Sequence, residues 1–190
     1  IIKLNEQSRA NILADLLKRD PNNYSSYEDT VQAIVDDVRA RGDEALFEYT
    51  KKFDGAELSA DNIRVTQAEI QEALSQVDPS LLAVMKKSMK NIREYHEKQK
   101  QYSWFDSKPN GTILGQKVTA LSSVGVYVPG GKAAYPSSVL MNIIPAEVAG
   151  VEKIVMVTPP GKDGKVNPVT LIAAHLAGAT EVYKVGGAQA

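Results

Sequence analysis

Residues 123–150 read SVGVYVPGGKAAYPSSVLMNIIPAEVAG, and this stretch decides the fold. The apolar run at 124–128 closes on Pro129, Gly130 and Gly131, the pattern of a short buried strand entering a tight turn. Pro136 has the fixed φ suited to a first helical turn, and Val139, Leu140, Ile143 and Ile144 follow at helical spacing. Pro145 lacks an N–H and crowds the carbonyl one turn back, so a kink is expected there.

On the carboxyl side the alternation continues. A strand is expected at 153–157, then a loop rich in proline and glycine, a helix from Pro168 to Ala177 between Asn167 and Gly178, and a strand at 181–185. This is βαβαβ, and right-handed crossovers make its three strands parallel. On the amino side, 5–101 reads as helical. Ser25 and Glu28 have capping-box spacing, with Val31, Ile34, Val35 and Val38 behind them and Gly42 as the stop. Asp43 is expected to cap a short helix through Tyr49. Thr66 and Glu69 repeat the capping-box spacing after a possible short strand at 63–65. Asp78 and Pro79 open a long helix with Leu82, Met85, Met89 and Ile92 on one stripe, and 112–120 suggests one or two edge strands. The fold class is therefore α/β, a helical amino-terminal region followed by a partial Rossmann-like parallel βαβαβ unit. The division expected is an arm at 1–20, a helical region at 21–110 and an incomplete Rossmann-like domain at 111–190.

Composition excludes several classes of partner. The chain has 190 residues, 43% hydrophobic and 24% charged, enough for one good core or two modest ones. A net charge of -1 provides no basic field for nucleic acid and no polybasic membrane patch. No apolar run reaches transmembrane length, so a soluble, cytoplasmic protein is expected. With no cysteine, disulfides, thiolate metal sites and a cysteine nucleophile are excluded within these residues.

In open α/β sheets, ligands bind beyond the carboxyl ends of the strands, where loops converge and helix amino termini present free N–H groups. Segments 127–135, 158–167 and 186–190 lie on that edge. Tyr127 ends the first strand and Gln189 lies just past the third, so the two can face one crevice. The same residues serve equally as packing and turn residues, and pattern alone leaves both readings open. No G-x-G-x-x-G opens the first helix. A Walker loop fails because Val126 stands where a glycine is needed and Ala133 replaces the magnesium-binding hydroxyl.

The runs VGVYVPGGKAAYPSSVLMNIIPAEVAGV at 124–151, LIAAHLAGA at 171–179 and VYKVGGAQA at 182–190 resemble the histidinol dehydrogenase family. So do RARGDEALFEYTKKFDG at 39–55 and NIREYHEKQ at 91–99. The resemblance implies an enzyme that oxidises L-histidinol through L-histidinal to L-histidine with two NAD and zinc, in an aldehyde-dehydrogenase-like architecture. It carries the family's cofactor-contacting tyrosine onto Tyr127 and its glutamine onto Gln189. It also implies that family members are longer, with the proton-handling Glu–His pair, the zinc ligands and most substrate contacts beyond Ala190. On that reading the chain is an amino-terminal fragment, with no catalytic and no metal-binding residue of its own, inactive by itself and derived from a homodimeric parent.

The remaining candidates have plainer readings. His96 and His175 lie on helical patterns without a ligand cluster around them and are read as structural. Asp36 with Asp37, and Lys86 with Lys87, are read as solvated helix faces. Tyr102, Trp104 and Phe105 are read as a hinge packed between the two regions rather than a base-stacking platform. The stripe from Leu82 to Ile92 is expected to lie uncovered here and to favour self-association. Two other classes fit the pattern: a non-catalytic nucleotide-binding or assembly module of the same fold, and an aldehyde dehydrogenase relative with its cysteine downstream.

Overall fold

The computed structural model describes residues 5–6, 25–131 and 134–190, without the side chains of residues 25 and 26. Most of the arm expected at 1–20, the Ser25 side of the first capping box, and Lys132 and Ala133 of the glycine turn lie outside the described residues.

From residue 25 onward the described elements begin with the helices α1 (Ser25–Arg41) and α2 (Asp43–Asp54). Gly42, at φ 60°, is the N-cap of α2, so Asp43 is its first residue and not the cap expected. An aspartate inside the first turn still faces the positive end of the helix dipole. The helix also runs past Tyr49 to Asp54, because nothing breaks it before Gly55. Helix α3 (Gln67–Gln76) starts from a complete capping box: Glu69 N–H donates to Thr66 Oγ1 at 3.3 Å, and Thr66 N–H donates to the Glu69 carboxylate at 2.8 Å. Helix α4 (Pro79–Glu97) starts from Asp78, whose carboxylate accepts the Ser80 amide at 2.7 Å.

Next comes an antiparallel hairpin, β1 (Trp104–Ser107) with β2 (Ile113–Gln116), in register from Trp104↔Gln116 to Ser107↔Ile113. Every residue of it is exposed, Trp104 and Phe105 included. The aromatic hinge expected from sequence is thus replaced by a ribbon. Its alternate residues point to opposite faces, and neither face meets the core.

The rest is the βαβαβ unit: β3 (Ser123–Tyr127), α5 (Pro136–Val148), β4 (Lys153–Val157), α6 (Pro168–Ala177) and β5 (Glu181–Tyr183). The strands are parallel in the order β3–β4–β5, with Val126 opposite Met156 and Met156 opposite Val182. These three side chains share a sheet face by the two-residue period, and all are buried against Val139, Leu140, Ile143, Ile144, Leu171 and Ile172 of α5 and α6. Helix α5 continues through Pro145 to Val148. The outer edge of β5 is closed by 63–65, where Val65 N–H donates to Val182 O and Lys184 N–H to Ile63 O, each at 2.9 Å.

The stripe on α4 is covered within this chain. Met85 is 3% exposed and packs in the same core as the sheet, with Leu82, Met89 and Ile92 partly buried beside it. Helix α5 lies against α4 and hides the surface that sequence alone leaves open.

Candidate site at the carboxyl edge of the sheet

The three loops beyond the strand ends meet at Pro159. A Cβ added to Gly130 would stand 2.6 Å from Pro159 Cγ, and one added to Gly186 would stand 2.6 Å from Pro159 Cβ. Only glycine lets the loops after β3 and β5 press this closely on the ring between them. The loops are also linked directly, since the Gly187 N–H donates to the Tyr127 hydroxyl at 3.1 Å.

Tyr127 is thus tied to Gly187, two residues before Gln189, and the two candidate residues differ in exposure. Tyr127 is 48% exposed, its ring open to solvent. Gln189 lies in the short 3₁₀ turn Gly187–Gln189 and is 3% exposed. Its amide folds back over Gly187, where an added Cβ would meet Gln189 Oε1 at 2.5 Å. Both amide atoms of Gln189 are buried without a hydrogen-bond partner. An interior normally satisfies such atoms, which makes this amide an exception among the described residues.

A cavity of about 380 Å³ opens beside this junction, bounded by Gly130, Gly131, Thr158, Pro159 and Asn167 and bridged by a Lys165–Glu72 ion pair at 2.6 Å. It follows two of the three loops named from sequence, but Tyr127 and Gln189 do not line it. The amino terminus of α6 faces it already capped, with Asn167 Oδ1 accepting the Val169 and Thr170 amides at 3.0 and 3.3 Å. Glu69, also on its wall, pairs with Lys184, whose side chain is 5% exposed. Burial pushes the Glu69 carboxyl up, but the Lys184 ammonium and the Thr66 donors outweigh it and hold the group below its ordinary value. Sequence reading missed this pair. The available signal was parity, because Lys184 shares the buried sheet face with Val182.

The other candidates are scattered. His96 Nδ1 lies 2.7 Å from Gln99 Oε1 at the end of α4, and His175 is exposed on α6. Among the described residues, no three His, Cys, Asp or Glu side chains gather as a metal site would need. Asp36 is a surface residue paired with Arg39 at 3.2 Å. Asp37, read from sequence as solvated, instead ties the first two helices together. It accepts from Arg41 at 2.7 Å and from the Tyr49 hydroxyl of α2 at 2.9 Å. Lys86 and Lys87 are exposed.

A parallel sheet with helices on its buried face and loops converging at its carboxyl edge places the molecule among the open, Rossmann-like α/β proteins. Similarity narrows this class. The chain belongs to the histidinol dehydrogenase family, whose family model matches residues 17–190. It is 59% identical over 161 residues to the histidinol dehydrogenase of Bacillus subtilis, covering 85% of this chain and 37% of that protein. It is 57% identical over 160 residues to the Heliobacterium mobile protein of the same name, covering 84% and 38%. The crystal structure of histidinol dehydrogenase from Elizabethkingia anophelis superimposes with a TM-score of 0.80 at 36% identity, over 86% of this chain and 37% of that one. The chain therefore spans about two fifths of the length of the relatives it matches. Among the described residues, no helix is long and apolar enough to cross a membrane.

Proposed function

We propose that this chain carries part of an NAD-dependent histidinol dehydrogenase, with residues 111–190 as part of its nucleotide-binding domain. The reaction proposed for the whole enzyme is oxidation of L-histidinol to L-histidine through L-histidinal, with zinc and two NAD. Family membership supports the reaction. The placement of the cofactor rests on one observation, the partnerless Gln189 amide linked through Gly187 to the exposed Tyr127.

The two residues suit complementary tasks. The open face of Tyr127 offers a flat apolar surface for a ring, while its hydroxyl holds Gly187 and thereby the turn that carries Gln189. The Gln189 amide, with one donor and one acceptor side, orients a polar edge of the cofactor. NAD, when bound, supplies the hydride acceptor. Nothing among the described residues is assigned to zinc or to the proton transfers, and the isolated chain is proposed to be inactive on histidinol.

Calorimetric titration of the chain with NAD tests the cofactor site: binding is expected, and Gln189→Ala should weaken it at least tenfold. Equal affinity for the variant would remove the assignment. For the reaction, a chimera in which this chain replaces the matching region of the B. subtilis relative should form NADH from histidinol. A folded chimera without that activity would sink the proposed substrate. Association into a homo-oligomer remains part of the proposal and rests on the exposed Trp104, Phe105, Ile113 and Leu114 of the hairpin. A single monomeric species in sedimentation at high concentration would contradict it.

A further inference from the structure

Among the described residues, Lys184 is the one buried residue that carries a charge. It follows β5 directly, and its backbone and side chain are both tied to the same neighbouring segment. The Lys184 N–H donates to Ile63 O at 2.9 Å, while its ammonium pairs with the Glu69 carboxylate in the first turn of α3. That carboxylate is itself held, because its other oxygen accepts the Thr66 N–H at 2.8 Å and the Thr66 hydroxyl at 3.0 Å. Segment 63–69 therefore grips Lys184 at two points.

Beyond Lys184 the chain has little means of keeping its own direction. Gly186 and Gly187 follow in succession, Gly187 at φ 66°, and glycine loses more freedom on ordering than any other residue. The turn Gly187–Gln189 thus depends on what holds its approach. The Tyr127 hydroxyl bond to Gly187 is exposed, whereas the hold on Lys184 is buried. We propose that Lys184, anchored by Glu69, is a positioning residue for the cofactor site, fixing the angle at which the chain leaves β5 and so the placement of Gly187 and Gln189. This deepens the cofactor reading above and rests on it.

The energetics of the pair favour this role over a stabilising one. A buried ion pair contributes little beyond what well-packed apolar side chains of the same size would, since desolvation of both charges offsets their attraction. A fully bonded pair does fix one geometry, because each hydrogen bond has a direction. Uncharged side chains at the two positions would fill the same space without selecting that angle.

The deciding variant is Lys184→Met combined with Glu69→Gln, which removes both charges and keeps the capping box of α3. It is compared with Lys184→Arg, Gln189→Ala and the unaltered chain by denaturant midpoint, by deuterium exchange at the Gly187 amide without NAD, and by calorimetric titration with NAD. The double variant is expected to keep its midpoint, to exchange faster at Gly187 and to bind NAD about tenfold more weakly. Lys184→Arg preserves the charge and should stay within about threefold of the unaltered affinity. A residue that merely holds the fold would lower the midpoint and leave NAD affinity in the folded protein unchanged. Equal affinity in the double variant, with Gln189→Ala still weakened, would overturn the positioning role alone. Absence of NAD binding by the unaltered chain would overturn the cofactor reading, and exchange at Gly187 would still show whether Lys184 holds the turn.

Discussion

The Tyr127 hydroxyl accepts a hydrogen bond from the Gly187 amide at 3.1 Å, joining the end of the first parallel strand to the loop beyond the third. Sixty residues of chain separate the two groups. Their contact places an open aromatic face and a buried amide at one corner of the sheet, and the proposed cofactor site depends on it.

Tyr127→Phe keeps the ring and removes the acceptor. The bond is exposed, so the expected loss in global stability is small, about 0.5–1 kcal/mol. The Gly187 amide should exchange with deuterium faster than in the unaltered chain, while the core amides of β4 keep their protection. Unchanged exchange at Gly187 would mean that something else holds the turn.

Gly186→Ala forces a methyl group to within 2.6 Å of the Pro159 ring, closer than carbon atoms approach. Relief requires a backbone shift in one of the converging loops, and a cost of about 1–3 kcal/mol is expected from the denaturant midpoint. Pro159→Gly made in the same chain should recover part of that loss, because it removes the Cβ and the ring that the new methyl group meets. Strictly additive effects would place the strain elsewhere.

Met85 and Trp104 contrast what burial does. Met85, 3% exposed between α4 and the sheet helices, should cost about 2–5 kcal/mol on replacement by alanine. Trp104, 56% exposed on the hairpin, should change the midpoint by no more than about 0.5 kcal/mol. A large effect at Trp104 in dilute solution would mean that the ribbon packs on something in the free chain.

The Arg41 and Tyr49 hydrogen bonds, reinforced by the Arg41 charge and opposed by desolvation, lower the Asp37 carboxyl from 3.8 to about 2. The folded value is the lower one, so the network's contribution is full above the unfolded value of 3.8 and is lost as pH falls toward 2. Glu48 moves in the same direction, chiefly through its bond to Arg41. In acid titrations followed by circular dichroism, Asp37→Asn should be the less stable protein at neutral pH. The gap between it and the unaltered chain should close across that window. A gap that stayed constant with pH would show that the Asp37 charge does not hold α1 to α2.

Elements whose signals are local were legible in the chain. Asp78 with Pro79, the Thr66–Glu69 capping box, and Asn167 with Gly178 mark helix ends through bonds made within a few residues, and the structure has them where the residues suggest. The strands at the centre of the sheet were legible for a related reason, since a short apolar run between glycine and proline turns has few other ways to bury itself. The end of α2 was misjudged because Phe53 and Asp54 carry no stop signal before Gly55.

That three strands run parallel, with loops converging beyond their carboxyl ends, follows from the sequence, through hydrophobic period, turn chemistry and the handedness of crossovers, all short-range rules. Which side chains lack partners is decided only by tertiary packing. Lys184 is buried but paired with Glu69 from a distant helix, while Gln189, Thr50 and Asp54 are enclosed without any such partner. Satisfaction of a buried polar atom depends on what the rest of the fold brings to it, and no local pattern encodes that.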